Sequence, residues 1–392
     1  MKNYILFFLL VVLSYIVPKK KKLIICGAGD SKQFQGNPKY LLLHLRKNND
    51  LNIEFYWSAK SQKQRDELRN LNIPFINPYT FQGFWKILRA KYMFIEKSSF
   101  DVYYTKNIFG RFNFIQTTHG SPLKKIGVDA LGQNSSLPLT ARQDSLVYKF
   151  LKRIRFFSRQ KFKLILATSE EIKTINARAF ENPNVQITGY SRNDVLFDTD
   201  LALKNYQNEF QLKKYDRVVL YAPTFRDDSY TVKPFSDDLT YYNEKLKTEN
   251  TLLIVKKHPW QKTLQISQDL SNVLDLSEKV DDINELLPFI DVLVTDYSSV
   301  FFDFMLTRKP TIYFAYDLDD YMRNCRGLYY DYYAEFQGPF AQNEKELFEL
   351  ILAVKSWEKE PKYLEKYETV LSKFNQFVDG NSSKRLLDLL YS

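Results

Sequence analysis

Histidine and cysteine are both scarce in this chain, and each scarcity narrows what it can do. Three histidines and two cysteines occur among 392 residues. Cys26 and Cys325 stand far apart and match no metal-ligand spacing, which fits a reducing compartment better than a disulfide framework. His-Glu-x-x-His, Cys-x-x-Cys and calcium-loop patterns are all missing, so no protein-bound metal is implied. Mg²⁺ arriving with a phosphate substrate stays open. Glycine (12) and proline (14) are too sparse for a fibrous or disordered chain. No apolar run reaches the ~20 residues that a spanning helix needs. Nucleic-acid motifs are absent, and the aromatics are not interleaved with glycine and arginine, which argues against nucleic acid as a partner.

What is present points to an anion-handling enzyme of at least two domains. A hydrophobic content of 44% supports a large core, and 31 Phe and 27 Tyr dominate the aromatics. Those rings suit either aromatic cores or an acceptor-binding face. A formal charge of +10 favours anionic partners, either a membrane surface or phosphorylated substrates. Residues 4–17 are apolar and run into Pro18 and the block Lys19-Lys20-Lys21-Lys22. Without a small-residue cleavage site this reads best as an interfacial helix, with lysines on anionic head groups. A helix packed on the protein itself, or a signal or spanning segment, are the other readings. Lysines in that position keep the following domain cytoplasmic.

Beyond residue 22 the pattern alternates. Strand-like runs at 23–26, 52–57, 73–76, 91–96, 114–118, 164–168 and 185–189 are separated by helix-like stretches at 39–47, 61–71, 83–92 and 146–161. A polar stretch, 190–214, reads as a linker. Strands then recur at 217–221, 251–255, 272–275, 291–295 and 310–314, with helices at 283–290, 300–307 and, interrupted near Pro361, 344–392. Such alternation specifies an α/β chain of parallel βαβ units in two Rossmann-like halves. We assign residues 1–22 to a membrane-associating segment, 23–195 to an N-terminal domain and 196–392 to a C-terminal domain with terminal helices.

Polar motifs sit where those strands end, which is where open α/β sheets bind ligands. His119 follows a strand in His119-Gly120-Ser121-Pro122-Leu123-Lys124. A histidine titrates near neutrality, Gly120 permits close backbone approach and Lys124 adds charge. A hydrogen-bonded surface turn would use the same residues. Tyr221-Ala222-Pro223-Thr224-Phe225-Arg226 leaves another strand, with Thr224 as a hydrogen-bond donor and Arg226 as a bidentate phosphate ligand, or simply as a polar loop. Lys256-Lys257-His258-Pro259 concentrates positive charge suited to a pyrophosphate, or forms a solvated basic loop. In Thr295-Asp296-Tyr297-Ser298-Ser299, the serines open a helix whose free N–H groups make an anion cup, with Asp303 one turn on. Simple N-capping is the plainer account. Histidines beside such a cup suit chemistry on a phosphorylated substrate. His44 lies in no polar motif and reads as structural.

Together with Gly189-Tyr190-Ser191-Arg192-Asn193-Asp194, Tyr316-Asp317-Leu318-Asp319-Asp320-Tyr321 and Arg326-Gly327-Leu328-Tyr329-Tyr330-Asp331, these motifs resemble the CDP-glycerol:glycerophosphotransferase family of teichoic acid and capsule synthesis, from roughly residue 23 to 339. The resemblance implies a GT-B fold, two Rossmann-like domains facing one another across a cleft. It implies transfer of a polyol phosphate, with glycerol phosphate as the first candidate, from a CDP-polyol to a hydroxyl of a lipid-linked polymer or primer. CMP would be released at the cytoplasmic face of a bacterial membrane by a peripheral or monotopic enzyme. By the same resemblance His119 is the general base, while His258, Lys256 and Lys257 steady the pyrophosphate. Arg192, Pro223, Thr224, Ser298, Ser299 and Asp303 hold the rest of the donor. The chain departs from the family pattern at Thr118, usually Trp, at Ser121, usually Thr, at Ser191, usually Pro, and at Gln337, usually Pro. Two rivals share these residues: a GT-B glycosyltransferase using a nucleotide-sugar, and a catalytically silent polyanion-binding scaffold. Retention of both motif histidines argues against the scaffold.

Overall fold

The structure is a computed structural model that describes residues 11–31, 33–103, 110–130, 162–224, 234–235, 239–257, 270–324 and 327–392. The chain divides into two compact units. One comprises Met1–His119, Leu137–Asp194 and Gly380–Ser392, and the other Gly120–Ser136 and Val195–Asp379.

The first unit is built on seven strands: β1 (Lys20–Cys26), β2 (Glu54–Ser58), β3 (Phe75–Ile76), β4 (Ala90–Ile95), β5 (Phe114–Gln116), β6 (Phe162–Ala167) and β7 (Val185–Ile187). Their order is β3-β2-β1-β4-β5-β6-β7, and every neighbouring pair is parallel. Parallel sheets are covered on both faces, which is why β1 reads Leu-Ile-Ile-Cys with no polar alternation. All four of those residues are buried. The helix Gly36–Lys47 buries Tyr40, Leu41, Leu42, Leu43 and Leu45. One core joins Leu23, Ile25, Ile87, Leu88, Met93, Ile95 and Phe114. Residues 11–16 are helical, and Leu13 and Val17 pack against this core. Packing on the protein, one of the three readings of the N-terminus, is seen at Leu13 and Val17, while Val12, Tyr15 and Ile16 are exposed and residues 4–10 lie outside the described residues. Among the described residues no helix is long and apolar enough to cross a membrane.

The second unit carries β8 (Arg217–Ala222), β9 (Thr251–Val255), β10 (Val273–Asp275), β11 (Val292–Thr295), β12 (Thr311–Phe314) and β13 (Phe340–Ala341). Its order, β10-β9-β8-β11-β12-β13, is again wholly parallel. Both sheets follow the strand order of a doubly wound Rossmann sheet, which reverses direction at β1/β4 and at β8/β11. Val219, Leu253, Val255, Val292, Val294, Ile312 and Phe314 meet Leu347 and Phe348 in the second core. Much of the aromatic surplus goes inside: Phe301, Tyr313, Tyr332 and Phe336 pack ring against ring.

Several elements differ from the sequence pattern. The 190–214 stretch is not an open tether; it forms short helical turns that bury Tyr190, Val195, Leu201, Tyr206 and Leu212. Residues 283–290 form two 3-10 turns, Ile283–Glu285 and Leu287–Phe289, with Pro288 in the second. β13, two residues long, carries too little pattern to be read. The last helix, Ser382–Tyr391, belongs to the first unit. Its first turn is held by Asp194, which accepts the N–H groups of Ser382 and Ser383 at 2.9 and 2.8 Å. The expected helix at 146–161 lies outside the described residues.

Candidate functional site

In the second unit the site grows from the two strands where the order reverses. β8 and β11 are parallel neighbours, so Pro223-Thr224 and Asp296-Tyr297-Ser298-Ser299 leave the sheet side by side. Thr295 Oγ1 donates to the Ala222 carbonyl at 2.7 Å. One residue on, Asp296 Oδ1 accepts the Thr224 N–H at 2.8 Å. Tyr332 fixes the same turn by donating its hydroxyl to the Asp296 carbonyl at 2.8 Å. Ser298 and Ser299 stay half-buried at the edge, whereas Asp303 is buried within the helix Val300–Phe304. That helix is a single turn with a 3-10 continuation, so its dipole is small. Hydroxyls and loop N–H groups are what the cup has to offer an anion.

β9 ends beside them in Lys256-Lys257. Lys256 extends the ladder by donating its N–H to Tyr221, and its ammonium donates to the Ser277 carbonyl at 2.9 Å. Burial pulls the Lys256 pKa below its ordinary value. Lys257 pairs with Asp275 at 2.9 Å, and Ser277 donates to the other carboxylate oxygen. Burial pushes the Asp275 carboxyl up, but the hydrogen bonds from Ser277 and Lys257 outweigh it and hold the group below the usual carboxylate range. His258 and Arg226 lie outside the described residues.

The segment after His119 is also built into the second unit. Ser121, Pro122 and Leu123 are buried. Lys124 bridges to Leu328 in antiparallel fashion, Lys125 donates its N–H to the Gly327 carbonyl at 3.0 Å, and Tyr329 donates to the Leu123 carbonyl at 3.0 Å. The Tyr329 hydroxyl accepts the Ile126 N–H and donates to Asp129 at 2.8 Å. Two motifs that are far apart in sequence thus form one structure. Its Lys124 ammonium lies 5.1 Å from the centre of Tyr321, and Tyr321 stacks on Tyr297 at 4.2 Å. Tyr297 in turn donates to Asp317 at 3.2 Å. A cation is thereby held near the serine turn.

In the first unit His119 is exposed just beyond β5, whose last residue is Gln116. Gly120 follows with a φ of 141°, a conformation that side chains resist. Arg192, nearly buried, donates to the His119 carbonyl at 2.6 Å. Sequence reasoning missed the residue that gathers this corner, Asn37, which contacts the Thr117 and Thr118 carbonyls and the Arg192 N–H. A signal was there: a small polar residue beside Gly36 and Pro38, just before an apolar run, marks a helix start. Among the described residues, no group of three or more His, Cys, Asp or Glu side chains converges as metal ligands.

Comparison with known proteins identifies the family and the fold. A family model for CDP-glycerol:poly(glycerophosphate) glycerophosphotransferases matches residues 9–392. The chain is 28% identical over 395 residues to a teichoic acid poly(glycerol phosphate) polymerase of Bacillus spizizenii, covering 96% of this chain and 93% of that protein. It is 28% identical over 381 residues to a teichoic acid glycerol-phosphate transferase of Staphylococcus aureus, covering 95% and 93%. A solved structure of the wall teichoic acid polymerase TagF superposes with a TM-score of 0.73 at 23% identity, over 95% of this chain and 88% of that one.

Proposed function

Because the chain belongs to the CDP-glycerol:poly(glycerophosphate) glycerophosphotransferase family, we propose that it moves glycerol phosphate from CDP-glycerol onto a hydroxyl of a lipid-linked glycerophosphate acceptor. The observation that carries this reading is the placement of its polar motifs. Thr224, Asp296 and the serine turn leave adjacent strands where the sheet order reverses, and His119 lies past the end of a strand in the other unit.

In this reading the labour divides as in a GT-B enzyme, with the donor on the second unit and the acceptor on the first. Thr224, Ser298, Ser299 and Lys124 receive the donor phosphates, with Arg226 and His258 from the adjoining segments. Lys256 and Lys257 add charge from β9, and an arriving pyrophosphate competes with Asp275 for the Lys257 ammonium. The acceptor oxygen attacks the glycerol-bearing phosphorus as the bond from that phosphorus to the bridging oxygen breaks. CMP leaves with the bridging oxygen, and the hydroxyl proton passes to the His119 imidazole. CMP is a phosphate monoester with a second pKa of ~6, so its departure needs little protonation. The acceptor does need a base, which contributes typically ~10²–10⁴-fold. Positioning and charge stabilisation supply the remainder, as is usual for phosphoryl transfer.

We propose that the enzyme works at the cytoplasmic membrane face, where a lipid-linked acceptor would lie, and two surface features support that. Val12, Tyr15 and Ile16 are exposed beside the lysine block. The helix Phe81–Arg89, which packs on the same core as Leu13 and Val17, turns Phe81 and Trp85 outward at 79% and 41% exposure. Stacked aromatics with Arg89 over Trp85 suit the head-group boundary.

A donor panel tests the proposal. With membrane-lipid acceptor present, CMP should be released from CDP-glycerol in preference to CDP-ribitol, with no UDP released from UDP-glucose. Release of UDP alone would replace this reading with glycosyl transfer, and polymer binding without any nucleotide release would replace it with a scaffold.

A further inference from the structure

We propose that Asn37, in the first turn of the helix Gly36–Lys47, is a positioning residue that sets the path of the backbone through His119. This rests on the reading of His119 as the base, but it is argued from a different observation. Thr118 adopts a φ of 54°, a conformation in which a β-branched residue is an outlier. Its hydroxyl is also buried without a hydrogen-bond partner. Both features cost free energy, so such a turn persists only where its surroundings over-determine it.

Asn37 provides that determination with every hydrogen-bonding group of its carboxamide. Nδ2 donates to the Thr117 carbonyl at 2.9 Å and to the Thr118 carbonyl at 3.0 Å. Oδ1 accepts the Arg192 N–H at 3.1 Å. Arg192 in turn donates from its guanidinium to the His119 carbonyl at 2.6 Å. Three successive carbonyls are therefore held, two by Asn37 directly and the third by the arginine whose backbone Asn37 fixes. Asn37 is fully buried, and its own N–H donates to Glu96 Oε1 at 3.1 Å. Glu96 reaches that N–H because residue 36 is glycine: a Cβ there would lie 1.7 Å from Glu96 Oε1. Aspartate at position 37 would set a second oxygen against two carbonyls. Alanine would leave the Thr118 carbonyl with only a 3.5 Å contact from the Thr117 hydroxyl, and would remove the side-chain partner of the Thr117 carbonyl and the Arg192 N–H.

The test compares Asn37→Ala, His119→Ala and the double variant with the wild type. It reads acceptor-dependent CMP release, CDP-glycerol affinity by calorimetry, and histidine ring NMR, which three histidines keep resolvable. Asn37→Ala should lower kcat by about 10²-fold, the scale of an ångström's misplacement near a reacting group. CDP-glycerol affinity should fall far less than kcat, only the His119 resonance should move, and the double variant should be no slower than His119→Ala. A further loss in the double variant, or an unmoved His119 resonance, overturns the proposal. If Asn37→Ala does not fold, Asn37→Ser, which leaves room for a bridging water, is read by the same criteria. Wild-type turnover in His119→Ala would defeat the base reading, and the resonance would still decide the positioning claim.

Discussion

At the scale of single residues, charged groups near the strand ends are committed before any ligand arrives. Lys257 rests on Asp275 and Lys256 on the Ser277 carbonyl, so their charge is held in place instead of sweeping through solvent. Away from the site, Glu54 shows what such pairing does to a carboxyl. Burial alone would push it up, but hydrogen bonds from Lys20, Lys86 and Tyr56 outweigh that and hold it at about 2. An unfolded-chain glutamate titrates near ~4.3. The folded pKa is the lower one, so the stabilisation is complete above ~4.3 and is lost as pH falls through about 2. Thermal unfolding followed from pH 5 to pH 2 should therefore show Glu54→Gln losing its deficit against wild type as acid is added. The effect should be modest and weakened by salt, because the group is only half-buried and its lysine partners reach solvent. A deficit independent of pH would contradict the assignment. Residues of this kind are hard to read from sequence. Glu54, Asn37 and Glu96 draw their roles from partners tens of residues away, whereas His119, Lys257 and the serine pair stand out because polar residues cluster there after apolar runs.

Elements were more legible than residues wherever burial imposes a pattern. β1, β8, β9 and β11 are covered on both faces, and runs of three to five consecutive apolar residues betray them. Where burial is patchy the pattern fails. The 190–214 stretch looks polar because Ser191, Arg192, Asn193 and Asp194 are buried polar residues and the short turns after Val195 bury only one residue in several. The 283–290 stretch has helical spacing but is broken by Pro288. The N-terminal segment mixes both regimes, with Leu13 and Val17 inside and Tyr15 and Ile16 outside. Deleting it would therefore remove core as well as surface, and substitution is the cleaner probe. Phe81→Ser with Trp85→Ser, on the exposed face of Phe81–Arg89, should weaken binding to anionic phosphatidylglycerol vesicles by roughly 10²-fold or more, given ~1.5–3 kcal/mol for each large apolar side chain fully buried. Melting temperature should hold, because both side chains already face water. Unchanged vesicle binding would remove this face from membrane attachment.

Across the whole molecule, the same strand order is used twice for different ends. In the second unit the reversal point at β8/β11 carries Thr224, Asp296 and the serine turn, with Ser298 and Ser299 half-buried. In the first unit the equivalent point at β1/β4 is filled from within. Asp101 accepts the N–H groups of Asp30, Glu96, Lys97 and Ser98, and Glu96 takes that of Asn37. On the proposed reading a donor phosphate is received by the second unit, while in the first the strand ends hold the backbone through His119. The most direct test of the account is acceptor-dependent CMP release by His119→Ala, with CDP-glycerol affinity measured on the same sample. Turnover lower by ~10²-fold or more with affinity intact is the predicted result. Wild-type turnover would contradict the account at its centre.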